Sequence, residues 1–181
     1  SISNQTIKNL NKNNVIVGYS LIDLDGKMNN TIGLFPQHYI LSSIIPFFFK
    51  KFNSIINFNF FNKMVWPWGA AFSIKKETFL KHGKFDEKIF LCNEEPDLLI
   101  RIRDRKIIIL KNKIIHLEGH TTINSSFRIS EYLRSSEYYF KKHKFSWKIF
   151  KISLILKSYI KAYLFSNKNS LKNLKTLKND F

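Results

Sequence analysis

Short β-branched runs set apart by stretches of helical character constrain the fold of this chain more than any other feature. Val15 to Leu21 (-VIVGYSL-) reads as a buried strand that runs into a turn at Asp23 to Gly26. Trp68 to Ile74 (-WGAAFSI-) reads as a second strand. The segment -KIIILKNKIIHL- reads as two further β-rich runs parted by Lys111 to Lys113, with His116 at the end of the second. Helical character marks Lys75 to Gly83, where Gly83 supplies the stop, then Asp97 to about Arg105, Ser126 to Lys144 and Trp147 to Phe165. Ser1 to Asn14 reads as a short helix or frayed terminus, and Ser166 to Phe181 as a weakly ordered tail. Strands alternating with helices predict an α/β domain, a mixed sheet flanked by helices and followed by basic amphipathic helices.

A chain of 181 residues, 44% of them hydrophobic, has room for one domain with a real core, or one domain and an appendage, and is too apolar for wholesale disorder. Its boundaries are read as 1–144 for the domain and 145–181 for a basic helical tail. The single cysteine, Cys92, excludes an internal disulfide framework and a cysteine-based zinc site, and fits a reducing compartment. The aromatic stretch from Tyr39 to Phe61 is broken by Pro46 and the Lys50–Lys51 pair, too often for a bilayer span. It reads as core, or as a surface that meets lipid or a partner. No signal peptide is evident, so the chain is read as soluble or peripheral. Ser1 in place of Met is read as a natural start that lies upstream or has been processed.

Charge narrows the partners. Thirty Lys and Arg against thirteen Asp and Glu give a formal charge of +17. The sequence has no zinc-finger spacing, no aromatic motif of an RNA-recognition sheet and no Gly-rich arm, so nucleic acid is not the expected partner. An anionic membrane surface or a phosphorylated substrate explains the charge equally well.

Against that basic background, Asp86, Glu87, Glu94, Glu95 and Asp97 crowd five carboxylates into twelve residues. A metal site or general base requires such a concentration. A helix N-terminus is the other reading: Glu95 falls near the N-cap and Pro96 at the first helical position, ahead of -DLLIRIRD-. The two are compatible, since a helix N-terminus facing a cleft can hold a polar site.

Order and spacing then point to a family. Gly69-Ala70-Ala71-Phe72 forms a small-residue strand, and Gly83-Lys84-Phe85-Asp86-Glu87 a turn. Phe90-Leu91-Cys92-Asn93-Glu94-Glu95-Pro96-Asp97-Leu98-Leu99-Ile100-Arg101 follows, and then -IIHLEGHTT-. Over roughly Val15 to Lys144 this resembles the inverting, GT-A-fold glycosyltransferases of family 2, particularly the rhamnosyltransferase-like members that build bacterial O-antigen and capsule polysaccharides. In two respects the chain departs from that pattern. The family's Glu-Asp pair appears as Glu94-Glu95, and the nucleotide-binding first half with its Asp-x-Asp is absent. Asp23-Leu24-Asp25 imitates that motif but precedes Gly26 in a turn, where the family has an ordinary D-x-D-G turn. The resemblance therefore covers the acceptor-side, C-terminal part of a GT-A domain.

The resemblance implies a transfer of a sugar, with inversion, from a nucleotide-sugar donor to a polyprenyl-diphosphate-linked acceptor glycan, on the inner face of the cytoplasmic membrane. It makes Glu95 the catalytic base, with Glu94 and Asp97 shaping its field. It makes His116 a ligand to a divalent metal, Mg2+ or Mn2+, whose main ligands lie upstream, with His120 a second candidate. Trp66, Trp68, Gly69 and Ala70 suit a sugar platform, one tryptophan being assigned to core packing. Arg101 is read as a brace for the acidic segment, and Arg128 and Arg134 as able to reach phosphate oxygens. Lys148, Lys151, Lys157 and Lys161, interleaved with Trp and Phe, suit an anionic lipid interface or, equally, an ordinary core-covering helix. A non-catalytic module that keeps only an acceptor or membrane surface stays open as the alternative.

Overall fold

The computed structural model of the chain describes residues 2–12, 14–29, 31–38, 63–117 and 125–165. The aromatic stretch 39–61, His120 and the tail 166–181 lie outside the described residues. The described chain falls into two compact units, one holding residues 2–35, 63–87 and 94–117, the other 36–38, 88–93 and 125–165.

In the first unit a mixed sheet is flanked by helices. Its centre is β1 (Val15–Ile22), which pairs antiparallel with β4 (Phe72–Ile74) and parallel with β5 (Lys106–Ile115). β1 is buried along nearly its whole length, as a strand covered on both faces must be. Alternation sorts its side chains. Ile16 joins Phe35, Val65, Ile107 and, from helix α3 (Glu94–Arg101) and the turn after it, Leu98, Leu99 and Ile102. Val15, Val17 and Tyr19 pack with Leu110 on the opposite face, beside Leu10 of α1 (Ile2–Leu10). A second, two-stranded antiparallel sheet pairs β2 (Ile32–Leu34) with β3 (Val65–Pro67). It is seated on the first by Pro67, whose ring stands where a β-carbon on Gly18 would go. A short helix α2 (Lys76–Lys81) follows β4 and ends at Gly83, which takes the left-handed φ of +82°.

Three expectations change. The run Trp68 to Ile74 is not one strand: Val65–Pro67 forms β3, residues 68–71 turn, and only Phe72–Ile74 joins β1. The turn is fixed by Trp68 N–H donating to Thr31 O and Ala71 N–H to Trp68 O. The runs either side of Lys111 to Lys113 are a single strand with a bulge, because pairing moves from Tyr19↔Leu110 to Ser20↔Lys113 and leaves Lys111 and Asn112 unopposed. The acidic helix starts at Glu94 and ends at Arg101, so Pro96 is third in the helix rather than first. Proline costs nothing there, since none of the first four N–H groups has a partner within the helix.

The second unit is built on α4 (Ser125–Lys142) and α5 (Trp147–Phe165), which pack on each other. The sequence boundary after Lys144 falls at the turn between them. Lys144 is left-handed (φ 59°), Lys144 N–H donates to Lys141 O and Phe145 N–H to Phe140 O, a Schellman ending. Ser146 then caps α5 by accepting the Ile149 N–H at 3.3 Å. Tyr139, Phe140, Phe145, Trp147 and Phe150 form an aromatic cluster at this corner. Tyr139 O–H donates to Gln37, and Asn93 donates its amide to Ser136 of α4. The lysines of α5 do not share a face: Lys148 and Lys157, nine residues apart, stand about 180° apart around the axis. What α5 does expose is an apolar line, Ile149, Ile152, Leu156 and Tyr159. Among the described residues no helix is long and apolar enough to cross a membrane.

Candidate active site

The first turn of α3 carries Glu94, Glu95 and Asp97, and the three diverge in environment. Asp97 is fully buried and binds Arg101 at 3.0 Å, one turn along the helix. Arg101 also donates to Asp97 O and to the carbonyls of His82 and Lys84. It therefore clamps the Gly83–Lys84 turn to α3, as the bracing role expects. Asp97 serves that clamp, and its carboxylate is a structural anchor beneath the helix start.

Glu95 is placed differently. Its carboxylate lies on the α-carbon of Gly69, and a β-carbon on Gly69 would overlap it. Only a glycine at this turn admits the acid. Burial, with the neighbouring Glu94 charge second, pushes the Glu95 carboxyl up to about 7, partly opposed by a backbone hydrogen bond. Glu94 is also raised by burial, against a backbone hydrogen bond, and its Oε2 is buried with no hydrogen-bond partner. A carboxyl that titrates near neutrality at a helix start, next to a second one with an unpartnered oxygen, can take and return a proton in the physiological range.

The turn that receives Glu95 begins with a pair of indoles. Trp66 and Trp68 stack with ring centroids 5.2 Å apart and an interplanar angle of 14°. Trp66 is the packed member: its ring covers Gly33 and its N–H donates to Leu34 O at 3.2 Å. Trp68 sits one residue before Gly69, half-buried, and Ala70 beyond it is exposed. Thr31, which the sequence gives no reason to select, holds this turn. It is buried, accepts the Trp68 N–H on its carbonyl and takes the Leu21 N–H on its hydroxyl.

His116, Arg128 and Arg134 come from other elements. His116 follows β5, where its N–H donates to Ile22 O and its carbonyl accepts from the Asn29 amide, leaving a buried Nδ1 with no hydrogen-bond partner. Among the described residues no three His, Cys, Asp or Glu side chains form a group able to hold a metal ion. Arg128 and Arg134 are on α4 of the second unit. Both are exposed, and Arg134 is paired with Glu131 of the same helix at 2.6 Å.

Comparison with known proteins gives no match: no family model, no curated protein and no solved structure is similar to this chain.

Proposed function

We propose that this chain is the acceptor-activating part of an inverting glycosyltransferase of the GT-A, family 2 type, which moves a sugar such as rhamnose from a nucleotide-sugar donor to a polyprenyl-diphosphate-linked glycan. The observation that carries the proposal is Glu95, a carboxyl raised to about 7 and seated on the glycine that follows Trp68. In this reading Glu95 removes the proton from the acceptor hydroxyl as that oxygen attacks the anomeric carbon. The nucleoside diphosphate leaves from the opposite face, which gives inversion. Burial and, second to it, the Glu94 charge hold the Glu95 pKa up, Trp68 offers a ring face to the acceptor sugar, and Trp66 backs it. A divalent metal would stabilise the departing diphosphate when bound. The described residues offer it no cluster of ligands, and His116 would contribute at most one ring nitrogen.

A peripheral position at an anionic membrane face belongs to the same proposal. It is supported by the net charge of +17 and by the exposed apolar line of α5 beside Lys148.

The test uses the natural polypeptide that contains this chain. Transfer from a panel of nucleotide sugars to a polyprenyl-diphosphate glycan is measured for wild type and Glu95→Gln, with melting temperature recorded on the same preparations. Loss of turnover with no fall in melting temperature supports the reading, and turnover near wild type in Glu95→Gln ends it.

A further inference from the structure

The bulge in β5 opens a second site in the first unit, one that makes no use of Glu95. Lys111 and Asn112 have no opposite residue on β1, and Ser20 Oγ donates to Leu110 O at the point where the register jumps. Lys111 and Asn112, the two bulge residues, line an open groove of about 620 Å³ together with Ile109 and Leu110 before them. The other wall is α1, which contributes Gln5, Lys8 and Asn9. Those positions are i, i+3 and i+4, a single helix face. Asn9 is fixed by donating its amide to Gln5 O at 2.9 Å.

The chemistry of the lining is selective. It presents two ammonium groups and three carboxamides, and none of the residues that line it is acidic. α1 and β5 contain no Asp or Glu at all, while Lys106, Lys111 and Lys113 are exposed along β5. Two lysines attract a phosphate, and carboxamides both donate to and accept from hydroxyl, amide or ring-nitrogen groups. We infer that the cleft between α1 and the β5 bulge binds a small phosphate ester, with Lys8 and Lys111 on the phosphate and Gln5, Asn9 and Asn112 on the body of the ligand.

Isothermal titration of the whole chain with inorganic phosphate, glucose 6-phosphate and adenosine monophosphate tests this. At least one ester should bind saturably and more tightly than inorganic phosphate; which ester wins separates a sugar phosphate from a nucleotide. Lys8→Gln with Lys111→Gln should weaken that ester by about tenfold or more, the size expected for losing charge-assisted bonds. Lys76→Gln with Lys81→Gln, on exposed positions of α2, removes the same charge and should change affinity less than about twofold if attraction is local rather than general. Three results would overturn the inference. The first is equal affinity for the esters and for inorganic phosphate. The second is equal weakening by the two double variants. The third is an absence of ester binding; sedimentation with phosphatidylglycerol vesicles that depends on Lys8 and Lys111 would then assign the lysines to a lipid surface.

Discussion

The Glu95 carboxylate rests on the α-carbon of Gly69, in the space that a β-carbon there would fill. Gly69→Ala should therefore displace the acid at a cost of about 1–3 kcal/mol, the range for overpacking. The penalty should disappear in a Glu95→Ala background. Chemical denaturation of both single variants and the double variant measures this coupling, and simple additivity would show that the two residues do not share the space.

Stability should fall as pH rises through the same carboxyl. Its folded-state pKa of about 7 stands above the ordinary 4.5, so between those values the unfolded chain releases its proton while the folded chain keeps it. The loss begins near pH 4.5 and is complete a little above pH 7. It amounts to at most about 3 kcal/mol, and less because the group is partly open to water. Glu94 pushes in the same direction. Subtracting the profile of Glu95→Gln from that of wild type isolates the effect, and a flat difference would contradict it.

Catalysis gives the sharpest contrast between the paired acids. In the natural polypeptide, Glu95→Gln should slow transfer by about 10²–10⁴-fold, the usual contribution of a general base, with donor affinity unchanged. Glu94→Gln should cost less, since it alters only the field around the base. Glu95→Asp, which restores the residue of the resembled family, should keep more activity than Glu95→Gln. Single-turnover rates compare the three.

Asp97 should behave as an anchor. Asp97→Ala leaves Arg101 without its buried partner and should cost about 3 kcal/mol of stability, the lower end for breaking a buried pair. Glu131→Ala breaks a pair in which Arg134 is well exposed and should cost less than about 1 kcal/mol. Urea midpoints of the two variants rank them, and equal losses would refute the distinction.

The stacked indoles should separate in the same way. Trp66→Ala removes a ring packed on Gly33 and a hydrogen bond to Leu34, and should cost about 3 kcal/mol. Trp68→Ala should spare more of the stability and instead raise the KM for the acceptor glycan. Melting curves and acceptor titrations on each variant read the split.

Much of the framework is legible in the sequence because it is local. A continuous apolar run marks β1, and the stop at Gly83, the 147–165 helix and the existence of a helix after the acidic cluster all follow from nearby residues, though not the residue at which that helix starts. What escapes is whatever depends on a distant partner. Pro67 and Gly69 punctuate -VWPWGAAFSI-, but nothing in it shows that the chain turns there toward β1 through a contact with Thr31. The polar Lys111–Lys113 triplet looks like a break, yet the strand continues because β1 offers pairing again at Ser20. The seat of Glu95 on Gly69 has no sequence signal, since only the folded backbone brings residues 69 and 95 together.

The pairing of Val15 with Lys106 also sets the order in which the molecule can be made. The central strand leaves the ribosome before either partner and waits, first for Phe72–Ile74 on one edge and longer for Lys106–Ile115 on the other. Until then an apolar segment with unpaired backbone groups on both sides is open to pairing with other chains. Closure over so long a separation predicts slow folding and a nascent chain that depends on being shielded during synthesis.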